Sequence, residues 1–330
     1  MKVLVAGGAG YIGSTICSAL KDEGHTPIIL DSLVTGEQSF AEQHTFYRGD
    51  IDDLSILQTI VANEGPIDYV IHLAAFILVP ESVSKPYQYY RQNVSKTIEF
   101  LNNLNTIGCK NIIFSSSASI YGNATSIEVT EESPINPGSP YAKTKAMLEE
   151  IIQDYCNAYD MKAISLRYFN PIGADPSMRT GGFVKNPSHL LAKLLQAYYS
   201  ESKTFTITGV NWDTRDGSGI RDYIHIWDLA LAHVKAVEKM DTIFQESVQN
   251  YYAINIGRGQ GITVKEFVKE FEETVQTKLN ILEGPPRDGD VLGAYANCER
   301  SKKMLGWEAK LSIRQGIKDA IKWEERKNSK

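Results

Sequence analysis

The first half of the chain alternates short, β-branched apolar runs with segments whose apolar residues recur at helical spacing. Strands alternating with helices in this way form a parallel sheet covered on both faces. The pattern predicts strands over Lys2-Ala6, Pro27-Leu30, Thr45-Arg48, Tyr69-Leu73, Asn111-Ser115 and Ala163-Tyr168, with helices beginning near Tyr11, Leu54, Tyr87 and Pro140. The expected fold class is therefore α/β, a doubly wound parallel sheet.

After Asn170 the texture changes. Gly181-Gly182, Pro187 and Gly217-Ser218-Gly219 mark loops around one predicted helix from Leu190 to Tyr199, a segment able to line a cleft. A strand over Asp222-Ile226 then leads into a helix from Trp227. Ala253-Gly257 precedes a helix on which Thr263 and Glu266 make a capping-box pattern. Neither half buries its apolar faces alone, so the lobes are expected to interweave. Residues 1–170, with a return segment near 220–250, form the large domain; 171–219 and 251–330 form a smaller α/β lobe. No internal repeat or low-complexity tract is present.

Composition narrows the classes. A chain of 330 residues with 42% hydrophobic content supplies a real core, and its net charge of -6 comes from 34 basic and 40 acidic residues scattered along the chain. No basic block tracks a phosphate backbone, so nucleic acid is not an expected partner. No apolar run reaches about 18 residues, and Met1-Lys2 leads straight into a strand with no signal-peptide pattern. A cytosolic, membrane-free protein is expected. Cys17, Cys109, Cys156 and Cys298 form no CxxC pair, which predicts neither a metal site nor disulfides.

Gly7-Gly8-Ala9-Gly10-Tyr11-Ile12-Gly13 follows the first strand and opens a helix. Gly7 allows the tight turn, Gly10 lets backbone approach a pyrophosphate, Gly13 lets helix and strand pack closely, and the helix N-terminus faces the anion. Asp31 ends the second strand, where a carboxylate accepts bonds from ribose hydroxyls and repels a 2'-phosphate. This is the Rossmann fingerprint, and it favours NAD over NADP. Asp50-Ile51 ends the third strand, in reach of an adenine edge, and Leu73-Ala74-Ala75 closes the fourth with small residues near a cofactor.

Ser139-Pro140 reads as an N-cap followed by proline at the first helical position, which puts Tyr141 and Lys145 one turn apart on one face. A tyrosine is a poor base at neutral pH, but a lysine ammonium and a cationic nicotinamide both favour its phenolate. Ser117, beyond the strand Ile112-Ser115, can bridge a substrate hydroxyl and Tyr141.

With Ser115-Ser116-Ser117, Tyr121-Gly122, Arg167-Tyr168-Phe169-Asn170-Pro171 and Arg221-Asp222-Tyr223-Ile224-His225 added, the chain resembles the UDP-galactose 4-epimerases of the extended short-chain dehydrogenase/reductase family from Val3 to about Trp307. The resemblance implies tightly held NAD, a 4-keto sugar that turns over before hydride returns, and catalytic roles for Tyr141, Lys145 and Ser117. It implies that Tyr11, Ile12, Gln92, Ser115, Tyr168 and Phe169 join the glycines, Asp31, Asp50, Ile51 and Leu73-Ala74-Ala75 around the cofactor. It places a UDP-sugar against Asn170, His189, Leu190, Thr206, Arg221, Tyr223, Arg287, Asp290 and Ala294, the two arginines serving the diphosphate. Family members are commonly dimers through a helix bundle, here the helices near Tyr87-Leu104 and Ser139-Tyr159.

Three residues depart from the family pattern. Ile77 replaces a cofactor-side lysine, Gln92 an asparagine near the nicotinamide, and Ala294 a tyrosine beside the sugar. A small residue at 294 leaves room for an acetamido group, so UDP-N-acetylhexosamines are expected substrates beside UDP-glucose and UDP-galactose. The competing readings are related nucleotide-sugar enzymes (a UDP-pentose 4-epimerase or decarboxylase, or a 4,6-dehydratase) and a non-catalytic NAD-binding regulator. Ala118-Ser119 stands where a dehydratase carries its acidic pair, and a regulator of this kind usually lacks the Tyr/Lys pair.

Overall fold

The computed structural model describes residues 1–122, 124, 126–183, 189–286 and 290–329. Its main sheet has seven strands, β1 (Lys2–Ala6), β2 (Thr26–Asp31), β3 (Thr45–Arg48), β4 (Tyr69–His72), β5 (Asn111–Ser115), β6 (Lys162–Tyr168) and β7 (Tyr251–Ile256). Their order is β7-β6-β5-β4-β1-β2-β3, and every pairing is parallel. The chain winds outward in both directions from β1, so a crevice opens at the carboxyl ends of β1 and β4, where doubly wound sheets bind ligands.

Side-chain alternation along β1 shows why the sheet is covered twice. Val3 and Val5 pack under the helices Tyr11–Asp22 and Ile226–Gln245, against Ile16, Leu20, Leu229 and Met240. Leu4 and Ala6 face the helices Leu54–Glu64, Lys96–Thr106 and Pro140–Tyr159, against Leu57, Phe100, Leu148 and Ile152. Each fully buried large aliphatic side chain here stabilises the fold by about 1.5–3 kcal/mol. Cys17, Cys109 and Cys156 are buried free thiols within these cores.

The smaller lobe has its own core of Leu194, Ile207, Phe267, Phe271 and Ile317. It joins the helices Leu190–Tyr199, Val264–Val275 and Ile313–Asn328 to short strands. Thr263 and Glu266 cap each other reciprocally at the head of Val264–Val275, as their spacing predicts. The expected strand over Asp222-Ile226 is instead two pieces, Ile220–Arg221 and Tyr223–His225, in different sheets. Asp222 separates them because its carboxylate turns inward onto backbone N–H groups. The helix expected near Tyr87 begins at Pro86, passes through a π-helical turn over Tyr90–Ser95 and continues as Lys96–Thr106. The segment Ala253-Gly257 falls largely within β7, which returns to the main sheet beside β6. Strands Glu128–Val129, Asn280–Gly284 and Gly293–Ala296 are too short or too polar to show alternation in the sequence. No helix among the described residues is long and apolar enough to cross a membrane.

Candidate active site

The glycine loop connects β1 to the helix Tyr11–Asp22, whose N-cap Gly10 makes no side-chain capping bond. The first-turn N–H groups of that helix therefore remain available to an anion. The glycines are sterically required: a Cβ on Gly7, which has φ +88°, would sit 2.7 Å from the Ala74 nitrogen, and one on Gly13 would sit 2.2 Å from the Gly7 oxygen. Ala74 thus closes the crevice against Gly7, with Leu73 and Ala74 both donating backbone N–H groups to the Ala6 carbonyl. Leu73 lies just past the end of β4, not within it.

At the end of β2, Asp31 accepts from Ala9 N (3.0 Å) and Leu33 N (2.8 Å), and Gly36 leaves space beside its carboxylate. Burial raises the Asp31 carboxyl above its usual range, opposed by those two N–H groups. A loop of backbone donors with no Cβ in the way, next to a carboxylate acceptor, fits the pyrophosphate and ribose of a dinucleotide. Asp50 accepts from Ile51 N at 2.9 Å and pairs with Lys96, so its carboxylate is already engaged. Tyr11 donates its hydroxyl to the Gly173 carbonyl (2.6 Å), tying the glycine loop to the sugar-side lobe.

Ser139 caps the helix Pro140–Tyr159 by accepting from Ala142 N at 3.2 Å, and Pro140 starts it. Tyr141 and Lys145 are both buried on that helix. The Lys145 ammonium donates to the Ser115 carbonyl (2.7 Å) and lies 4.8 Å over the Phe114 ring. Ser117 stands near enough to Tyr141 to lower its phenol, so serine, tyrosine and lysine converge just past the end of β5. Burial pushes the Tyr141 phenol up to about 12, against the lowering effect of Ser117. Burial likewise pushes Lys145 down to about 7, against the nearby Glu149 carboxylate. Both shifts favour neutral groups, and a positive charge brought beside them reverses the tyrosine's shift. Tyr168 and Phe169 follow at the end of β6, with the Tyr168 ring 6.2 Å from that of His233.

The residues expected to meet a nucleotide sugar stand largely on short strands. Asn170 donates its backbone N–H (3.0 Å) and its Nδ2 (3.2 Å) to the Asp222 carbonyl. Arg221 donates to the carbonyls of Ile220 (2.7 Å), Leu292 (3.1 Å) and Val291 (3.2 Å). Tyr223 is buried with its ring 4.3 Å from that of Phe267. Strand Gly293–Ala296 lies parallel to Ile220–Arg221, which sets Ala294 opposite Arg221. Ala294 and Ala118 both border the cluster of Ile120, Tyr121 and Phe169, so position 294 adjoins the turn that follows Ser117. Tyr295 packs instead over Gly261. Thr206 is exposed on strand Thr204–Thr208, His189 is an exposed N-cap, and Leu190 packs on the small-lobe core. Asp290 is partly buried. Arg287 lies outside the described residues.

Gln92 is partly buried, and the neighbouring Asn93 is fully buried. Its side chain exchanges bonds with both backbone groups of Phe76 and donates to Thr144 Oγ1 (3.1 Å), linking the β4 exit to the Tyr141 helix. Tyr89, Asn93 and Thr97 recur every four residues on a buried stripe, the signal that picks out Asn93. Ile77 is half exposed. Asp222, Glu149 and Arg167 are also buried, and of these only Glu149 lies outside the motifs that carry the family resemblance. Among the described residues no cluster of His, Cys, Asp or Glu is arranged to hold a metal.

Residues 3–257 match the NAD dependent epimerase/dehydratase family. The chain is 38% identical to a UDP-glucose 4-epimerase of Halalkalibacterium halodurans over 98% of its own length and 95% of that protein's. A UDP-glucose 4-epimerase of Stenotrophomonas maltophila, crystallised with NAD and formylated UDP-arabinopyranose, superposes with a TM-score of 0.93 at 34% identity, covering 100% of this chain and 99% of that one. The Bifidobacterium longum UDP-glucose 4-epimerase, in complex with NAD+ and UDP, gives 0.91 at 32% identity over 99% of each. A glycine cradle, a strand-end acid and a buried Ser/Tyr/Lys group thus coincide with a family match over most of the sequence: the chain belongs to the NAD dependent epimerase/dehydratase family.

Proposed function

We propose that the protein interconverts UDP-glucose and UDP-galactose by inverting carbon 4 of the hexose. The observation that carries this reading is the convergence of Ser117, Tyr141 and Lys145 at the end of β5, beside the glycine cradle. Gly7, Gly10, Gly13 and the helix start hold the pyrophosphate, and Asp31 holds the adenosine ribose and disfavours a 2'-phosphate. When bound, NAD supplies a hydride acceptor that becomes the hydride donor, and in its oxidised form a positive charge. Tyr141 takes the proton from the 4-hydroxyl and later returns it to the carbonyl oxygen on carbon 4, once the 4-keto sugar has turned over. Ser117 shares the proton path, and Lys145 holds the phenolate by its charge. Burial keeps bulk water from the proton in transit.

Asn170, Arg221, Tyr223, Asp290 and Arg287, with His189, Leu190 and Thr206, form the nucleotide-sugar side in this reading. Ala294 leaves room beside the sugar, so the N-acetylated pair is a substrate as well. The large domain is residues 1–170 with return segments that supply the helix Ile226–Gln245 and also β7, which the boundary at 251 expected from the sequence leaves out, and the remainder forms the sugar lobe. The protein acts in the cytosol as a homodimer: Tyr87, Ile98, Met147 and Tyr159 expose apolar surface on or beside the two helices expected to pack between subunits.

The test is to incubate the purified protein, without added NAD, with UDP-glucose, UDP-galactose and their N-acetyl forms. Interconversion within each pair supports the reading. Absence of any 4-epimer product from a folded protein that retains NAD contradicts it.

A further inference from the structure

Three consecutive serines run from the last residue of β5, and the first two are tied to different buried groups. Successive residues of a strand point to opposite faces. Ser115 Oγ meets His233 Nε2 at 2.9 Å on the helix Ile226–Gln245, and His233 Nδ1 meets the Leu229 carbonyl at 2.9 Å. The carbonyl accepts from Nδ1–H, which leaves Nε2 to accept from the serine. On the other face, Ser116 Oγ donates to Glu149 Oε1 on the helix Pro140–Tyr159. Ser117 then reaches Tyr141.

Glu149 is itself fixed. Arg167 Nε donates to both of its carboxylate oxygens (3.0 and 3.1 Å) and Nη2 to Oε2 (2.6 Å). The other arm of Arg167 donates to the Tyr121 hydroxyl (2.9 Å) and the Glu131 carbonyl (3.0 Å). Tyr121 ends the turn that Ser117 caps, and it donates to Asn255 Oδ1 on β7 at 2.7 Å. Glu149 and Arg167 are about 95% buried. An ion pair so deep costs several kcal/mol of desolvation per charge and is often no more stabilising than apolar packing. Stability alone is a weak reason for it, and its bonds run to the side-chain hydroxyls of Ser116 and Tyr121, on either side of Ser117 in the chain.

We propose that Ser116, Glu149 and Arg167 are positioning residues for catalysis, a clamp that fixes the Ser115-Ser117 backbone so that Ser117 meets Tyr141 and the Ser115 carbonyl meets Lys145. Glu149 lies one turn beyond Lys145 on the same helix, so one bond to Ser116 sets the strand end and the catalytic helix relative to each other. This rests on the epimerase reading above. The reacting groups touch none of the three.

Native activity is established first, because its absence overturns the epimerase reading and leaves the clamp aside. Ser116→Ala then removes the tie while leaving the Glu149–Arg167 pair intact. The clamp predicts a fall in kcat on the order of tenfold, as displacement of a catalytic group by a fraction of an ångström produces. It also predicts unchanged KM for the UDP-sugar, unchanged NAD content and a near-native Tm, with Tyr141 titrating at higher pH in the phenolate absorbance difference against Tyr141→Phe. A kcat fall of less than about threefold, or a fall that tracks lost NAD or lost Tm, overturns the clamp. Glu149→Gln keeps one oxygen for the serine and arginine and, where it folds, is expected to lose kcat in the same way with KM unchanged.

Discussion

The cofactor end and the sugar end of the site rest on different foundations. The glycine loop, Asp31 and the Ser115-Ser117 run stand at the ends of β1, β2 and β5, strands whose interiors are fully buried in a seven-stranded sheet. Asn170, Arg221 and Ala294 stand on strands of three, two and four residues. Those short strands are held in large part by single long-range bonds, such as the Asp222 carboxylate accepting from Ala296 N at 3.1 Å. Chemistry that needs atoms fixed in register is built on the continuous sheet, and substrate choice is built where one residue can change without disturbing a core. Substitutions at the first end are expected to cost turnover or cofactor, and substitutions at the second to shift preference between sugars.

Tyr141→Phe is the largest test of that contrast. It removes the proton acceptor and little packing, so kcat is expected to fall by about 10²–10⁴-fold with NAD still bound and Tm close to native. Turnover within a few fold of native breaks the account at its cofactor end. Gly13→Ala comes next. Its Cβ would press within 2.2 Å of the Gly7 oxygen, a backbone atom that cannot swing away. The loop must open, and purified protein is expected to carry NAD at under about a tenth of the native occupancy, given close backbone approach to the pyrophosphate. Native occupancy, read from the absorbance of denatured extracts, contradicts the fit of this cradle.

At the sugar end, Ala294→Tyr is expected to lower kcat/KM for the N-acetylated pair by about 10- to 200-fold, the range steric crowding in a pocket provides. UDP-glucose and UDP-galactose are expected to change far less, and Tm hardly at all. Equal losses for both pairs, or no N-acetyl activity in the native enzyme, refute the role given to Ala294 and leave the chemistry untouched.

The smallest effect is one of stability. Lys145 titrates at about 7 in the folded protein because burial lowers it from 10.5. Between those values the unfolded chain binds a proton that the folded chain does not, so this residue makes stability rise with pH from about 7 to about 10.5. Lys145→Met is expected to lose that rise. Denaturation midpoints of native and variant that run parallel across this window contradict the burial of the ammonium.

The same contrast explains what could be read from the sequence. Gly7 to Gly13, Ser139-Pro140-Tyr141 and Thr263/Glu266 are local: spacing along the chain sets geometry within one turn or one loop, and each lies where its pattern puts it. The buried β-branched runs of the main sheet were legible for the same reason, to within a residue at each end. Asp222 was not, because its role depends on N–H groups from Arg258, Gly259 and Ala296, which no spacing rule connects to it. Asn93 was not either, because its role depends on the Phe76 backbone and Thr144, which no spacing rule connects to it. The pairing of Glu149 with Arg167 has no spacing signal either, since the fold brings together a helical acid and a strand base 18 residues apart.

The central claim is that hydride leaves carbon 4 and returns to its other face without leaving the protein. UDP-glucose carrying deuterium at carbon 4, converted by the purified enzyme with no free NAD, tests this most directly. The account predicts UDP-galactose with the deuterium retained at carbon 4. Exchange of that deuterium for solvent hydrogen, or turnover only when free NAD is supplied and labelled NADH is released, would contradict it.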